Sequence, residues 1–169
     1  MTEWKELEGY YGIQEIPVLW GDMDSFSHVN NARYFTWMET SRIAYLHRAG
    51  MGESMLEKGW GPILAAVNCN YRRQVRYPDT IFVGARVQNI GRSSILVEHR
   101  FVSQEANALC ADGESKIVMF DYNAQRPMRV TDEVRAAIAG IGDRRTGAVA
   151  IDAEALFCSV AVPVFGARR

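Results

Sequence analysis

Two aspartates, a histidine and two asparagines fall between positions 22 and 31: Asp22, Asp24, His28, Asn30 and Asn31. Asp22 and Asp24 flank Met23, and Val29 separates His28 from the asparagines. A carboxylate in such a cluster can attack a carbonyl or act as a base for water. If a helix starts at the asparagines, its first turn offers unpaired N–H groups and the positive end of a dipole. Those donors can polarise a carbonyl and hold a developing oxyanion. The set suits attack on an activated acyl group. Asp, Ser and Asn are also the ordinary residues of turns and helix caps. Composition alone therefore supports a capped helix start.

The flanking elements must position this cluster. Ile16, Val18 and Trp20 alternate with other residues, which predicts a short strand, and Pro17 pushes it to a sheet edge or a strand start. Asn30 or Asn31 can cap a helix running to about Ala49, with Gly50 as its stop. Its apolar residues, including Tyr34, Phe35, Trp37, Met38, Ala44, Tyr45 and Leu46, make a wide buried face. From Gly61 the period changes to two. Four strands are expected, carrying Ile63 to Tyr71, Ile81 to Val87, Ile95 to Phe101 and Ala111 to Met119. Turns at Tyr77-Pro78-Asp79, Asn89-Ile90-Gly91 and Glu105-Ala106-Asn107 favour an antiparallel meander. Thr131 caps a short helix that ends near Gly140. The cheapest way to bury both apolar surfaces is an α+β fold in which the sheet wraps the long helix. One domain over 1–142 is expected, with 143–169 as a C-terminal extension of open role.

The bulk properties exclude several classes. The 169 residues carry a net charge of -1, so no global field recruits nucleic acid or an anionic membrane. Cys69, Cys110 and Cys158 are odd in number and contain no CxxC pair, which argues against a disulfide framework and a thiolate metal site. A cytoplasmic protein is expected, since the N-terminus lacks a signal pattern and no apolar run approaches the roughly 18 residues of a membrane span. GxSxG, Walker and HExxH patterns are absent, so neither metal nor cofactor is nominated.

The order of the residues adds more than their composition. WGDMDSFSHVNNARYFTWMETSR resembles the signature of hotdog-fold thioesterases of the 4-hydroxybenzoyl-CoA thioesterase type. That signature runs D-x-D, G-H-V-N-N-x-x-Y, then E-x-x-R. It is met here by Asp22, Asp24, His28, Val29, Asn30, Asn31, Tyr34, Glu39 and Arg42. The resemblance implies the hotdog fold and an acyl-CoA thioesterase, with Asp24 as nucleophile or general base. Amides around Val29, Asn30 and Asn31 would polarise the carbonyl, and Asp22 and His28 would assist. It further implies coenzyme A near Arg92, Ser93, Ser94 and Arg73, and an acyl pocket at Tyr34 and Met38. A homodimer or homotetramer, with the site between subunits, is implied too.

Ser27 departs from the signature, which has Gly there. If that position needs a positive φ, Ser costs on the order of 1 kcal/mol. Phe26 stands where the carrier-protein branch has Asn, which favours coenzyme A over a carrier protein. Arg72, Arg76 and Arg86 could meet phosphates, although a solvated basic edge explains them equally well. Glu39 and Arg42, three apart on the helix, can pair structurally. The alternatives are a non-hydrolytic acyl-thioester binder, an acyl-carrier-protein thioesterase and a dehydratase of the same fold.

Overall fold

The computed structural model describes residues 4–52, 55 and 57–141. The long helix α1 spans Asn31–Arg48. Asn30 caps it, its Oδ1 accepting the Ala32 N–H at 2.9 Å. Gly50, at φ 74°, supplies the left-handed residue that ends it. Tyr34, Trp37, Met38, Ser41, Arg42 and Tyr45 recur three or four residues apart and are buried. They form one face against a sheet.

That sheet comprises β1 (Tyr11–Pro17), β2 (Trp60–Tyr71), β3 (Thr80–Ile90), β4 (Ser94–Ser103), β5 (Ala108–Asp121) and β6 (Arg126–Pro127). The order is β1-β3-β4-β5-β2, with β6 beside β5, and every pairing is antiparallel. Alternate residues face inward as expected. Ile81, Val83 and Ala85 on β3, Ile95, Val97, His99 and Phe101 on β4, and Ala111, Ser115, Ile117 and Met119 on β5 are all buried. The expected α+β arrangement of a sheet curled around one helix is therefore present. Gly12 lets β1 press against α1, because a Cβ there would lie 2.6 Å from the Tyr45 nitrogen. Helix α2 (Asp132–Ala139) is capped by Thr131, and its Val134 and Ile138 close the core beside Ile95, Ile117 and Met119.

Three expectations change. The first strand lies earlier, over Tyr11–Pro17, and Trp20 sits in a single 3-10 turn, Trp20–Asp22. Trp20 is exposed, so its apolar character had signalled alternation where no strand exists. The strands do not form a simple meander, because β2 crosses the sheet to pair with β5. A register shift between Leu64 and Ala66 also breaks the alternation of β2. The 143–169 segment lies outside the described residues.

Candidate active site

The polar turn is a small closed loop. Met23 and Val29 form an isolated antiparallel bridge, and the Asp24 N–H donates to the His28 carbonyl at 2.8 Å. Inside it the Ser27 N–H donates to the Asp24 carbonyl at 3.0 Å, and Ser27 adopts φ 61°. The bend does require the left-handed conformation that glycine adopts most easily. The loop is tied to the β2–β3 connection, since Val29 donates to the Val75 carbonyl and Val18 to the Asp79 carbonyl, both at 2.9 Å.

Asp24 is exposed, and its Oδ1 accepts the Phe26 N–H at 2.8 Å. Among the described residues its Oδ2 has no hydrogen-bond partner, so one oxygen is fixed and the other open. Asp22 is buried and differently employed. Its Oδ2 accepts the Leu19 N–H at 2.9 Å, its Oδ1 pairs with Arg33 Nε at 2.9 Å, and its carbonyl takes the Asn30 N–H at 2.8 Å. Asp22 thus joins the 3-10 turn to the start of α1.

The amide assignments narrow. The Val29 N–H is committed to Val75 and the Asn30 N–H to Asp22, so neither is free to meet an oxyanion. In the first turn Ala32 N–H is capped by Asn30 Oδ1, and Arg33 N–H donates to the Asn30 carbonyl. The Asn31 N–H alone of the three nominated amides has no partner among the described residues. His28 belongs to the loop, and its side chain reaches the β2–β3 connection, with Nε2 2.9 Å from Arg76 Nη2.

The nominated acyl-pocket residues are core. Met38 is fully buried, and Tyr34 packs among the rings of Trp37, Tyr71 and Phe101. The exposed apolar side chains at the loop are instead Leu19, Trp20 and Phe26, exposed by 60, 74 and 79%. The Arg92, Ser93 and Ser94 turn lies at the opposite end of β3, roughly 35 Å along the strand. There Ser93 and Arg92 carbonyls accept the Met119 and Val130 N–H groups. One subunit does not bring that turn to Asp24. Arg72 pairs with Asp112 at 2.6 Å and Arg86 with Glu98 at 2.6 Å, whereas the Arg73 side chain has no partner among the described residues. A shallow depression on the outer sheet face, lined by Asn68, Asn70, Gln88, Glu98 and Asp112, lies apart from the loop.

A buried polar chain runs under α1. Arg42 Nη1 donates to Ser115 Oγ at 3.1 Å, Ser115 Oγ lies 2.9 Å from His99 Nε2, and His99 Nδ1 lies 3.0 Å from Ser41 Oγ. Ser41 in turn donates to the Met38 carbonyl at 3.3 Å. Since Arg42 can only donate, one direction satisfies every group, with the His99 proton on Nδ1. Burial, reinforced by the Arg42 charge, pushes the His99 imidazole down to about 3. Glu39 approaches Arg42 only to 3.8 Å. Burial also pushes the Cys69 thiol up to about 11 and the Cys110 thiol to about 12, which keeps both protonated and unreactive.

Sequence reasoning missed Val75 as the loop's anchor, Arg33 as the partner of Asp22 and Arg76 as the partner of His28. Val75 and Arg76 belong to the turn at the far end of β2, and no local spacing links them to the loop.

The model of the thioesterase-like superfamily matches residues 18–138, which include the loop, α1 and the sheet from β2 to β5. Over 94 residues the chain is 32% identical to Protein THEM6 of Xenopus laevis, covering 56% of this chain and 44% of that protein. The chain thus spans less than half the length of that relative. Over 113 residues it is 24% identical to the long-chain acyl-CoA thioesterase FadM of Escherichia coli (strain K12), covering 67% of this chain and 86% of that protein. A Thermus thermophilus thioesterase, solved in complex with coenzyme A and Zn, superposes with a TM-score of 0.70 at 28% identity, covering 82% of this chain and 99% of that one.

Proposed function

The chain belongs to the thioesterase-like superfamily, and from that premise we propose that it hydrolyses the thioester of a small or medium acyl-CoA. The observation that carries the reading is the Asp24 carboxylate, fixed through Oδ1 by the Phe26 N–H and open at Oδ2. It sits just ahead of a helix start whose Asn31 N–H is uncommitted among the described residues.

Two routes use this geometry. In the first, Asp24 Oδ2 attacks the thioester carbonyl carbon and the C–S bond breaks. Coenzyme A leaves as its thiolate and takes a proton from solvent. Water then cleaves the resulting anhydride, releasing the carboxylic acid and restoring Asp24. In the second, Asp24 removes a proton from water as the water oxygen attacks, and that proton passes to the departing thiolate. Either route places negative charge on the carbonyl oxygen, which the Asn31 N–H and the α1 dipole can stabilise. Neither needs a metal or a cofactor. Leu19, Trp20 and Phe26 offer the acyl group an apolar surface, and the FadM and Thermus relatives support the reaction class.

The site is completed by a second copy. β2 is an edge strand with no charged side chain from Trp60 to Tyr71, and Ile63, Leu64, Val67 and Tyr71 are exposed. A long uncharged edge is a template for another strand. Antiparallel pairing of β2 with β2 of a second copy would bring the Trp60 end of one subunit to the Tyr71 end of the other. The Arg92–Ser94 turn of one copy would then lie at the same end as Arg73 and Asp24 of the other, which accounts for their separation within a subunit. A homodimer, or a homotetramer built from it, follows. Free Cys69 and Cys110 suit a reducing cytoplasm, and no described helix is long and apolar enough to cross a membrane.

Ser27 at positive φ supports one second reading, a binder that holds an acyl thioester without turnover. A panel of acyl-CoA substrates assayed by free-thiol release separates the two. Turnover supports hydrolysis, and saturable binding without thiol release supports the binder.

A further inference from the structure

We propose that Arg76 is a positioning residue, which sets the tautomer of the His28 ring by placing its proton on Nδ1. The backbone brings the two side chains together. The Val75 carbonyl accepts the Val29 N–H at 2.9 Å, so the residue after Val75 and the residue before Val29 lie side by side. Those residues are Arg76 and His28, and Arg76 Nη2 lies 2.9 Å from His28 Nε2. Gln74 Oε1 accepts from the same nitrogen at 3.4 Å, which steadies the guanidinium.

The chemistry allows one arrangement. A guanidinium carries only donors and keeps its proton across the working range of proteins. His28 Nε2 must therefore present its lone pair, and the ring proton sits on Nδ1. A proton on Nε2 would set two donors against each other. The Nε2 lone pair is consequently withdrawn from base chemistry, and Nδ1–H is the ring's one donor. This deepens the thioesterase reading and rests on it for its catalytic meaning: Asp24 remains the base or nucleophile, and His28 contributes only as a donor. The tautomer itself follows from the Arg76 contact whatever the substrate.

Imidazole nitrogen and carbon-bound proton correlations on the full-length, 15N-histidine-labelled protein test this directly. The His28 signals are identified by their loss in His28→Gln. The wild-type protein should show the Nδ1–H pattern for His28, and Arg76→Gln should move it toward the Nε2–H form that free imidazole side chains prefer. His99, fixed as Nδ1–H by its own buried chain, serves as the internal control that the variant is folded. Arg76→Gln should also lower kcat about tenfold while KM stays within about twofold. A wild-type His28 with its proton on Nε2 overturns the proposal without recourse to any variant. An unchanged tautomer or an unchanged kcat in folded Arg76→Gln overturns it as well. The spectra are independent of hydrolysis, so a protein that turned over no thioester would refute the function and leave the Arg76–His28 assignment to be judged alone.

Discussion

His99 and Ser115, on neighbouring strands β4 and β5, are fully buried and share a 2.9 Å hydrogen bond beneath the middle of α1. The imidazole is held neutral there, down to a pKa of about 3 from an ordinary 6.5. An unfolded chain takes up this proton below about 6.5, whereas the folded chain refuses it until about 3. The unfolded state therefore binds more protons in that window, and stability falls as pH drops through it. One proton can contribute at most about 1.4 kcal/mol per pH unit. Urea midpoints of the wild type should fall between pH 6.5 and 4 more steeply than those of His99→Gln, which starts less stable. Parallel curves for the two proteins would remove His99 as the cause.

Ser27 holds φ 61° inside the loop that carries Asp24. Ser27→Gly relieves left-handed strain at the cost of a more flexible unfolded chain. The expected result is a change between zero and about 1 kcal/mol in the stabilising direction, with hydrolysis retained. A loss of more than about 1 kcal/mol would mean that the serine side chain has a role of its own.

Asp22 and Asp24 are close in sequence and opposite in employment. Asp22→Ala removes the acceptor of the Leu19 N–H and leaves Arg33 without its carboxylate. It should cost about 1–3 kcal/mol, read by denaturant melts, because the part-buried Leu19 N–H loses its acceptor and the buried link from the 3-10 turn to Arg33 is cut. Asp24→Asn should melt within about 0.5 kcal/mol of the wild type, since an exposed side chain of the same shape replaces it. Equal destabilisation by both would argue against their separate roles.

Val67 lies on the uncharged outer strand and is 36% exposed. Val67→Lys places a charge on the edge proposed to pair with a second copy. Sedimentation should report a shift from dimer or tetramer to monomer, with hydrolysis lost alongside and secondary structure retained. A wild type that is monomeric at micromolar concentration would refute the shared site.

Much of this was legible in the sequence because it is local. Asn30 as cap, Gly50 as stop and the spacing from Tyr34 to Tyr45 define α1, and Thr131 defines α2. The glycine that the motif has in place of Ser27 marked the bend, and the φ of 61° there came from the structure. Other features were not local. Alternation identifies β2 as a strand but says nothing of its neighbour, so its pairing with β5 was invisible. Trp20 alternates like a strand residue yet is exposed in a turn. Tyr34 and Met38 lie on the same helix face as ordinary core residues, and only packing distinguishes a pocket from a filled core. The commitment of the Val29 and Asn30 amides depends on Val75 and on the Asp22 carbonyl, which carry no side-chain signal.

The open Asp24 oxygen is the group on which the proposed hydrolysis depends. The most direct measurement is free-thiol release from a panel of acyl-CoA substrates by the wild type and by Asp24→Asn, with folding of both confirmed by thermal melting. Turnover by the wild type is expected on at least one small or medium acyl-CoA, with a loss of at least about 10³-fold in kcat/KM for the folded variant. Wild-type rates in folded Asp24→Asn would contradict that role.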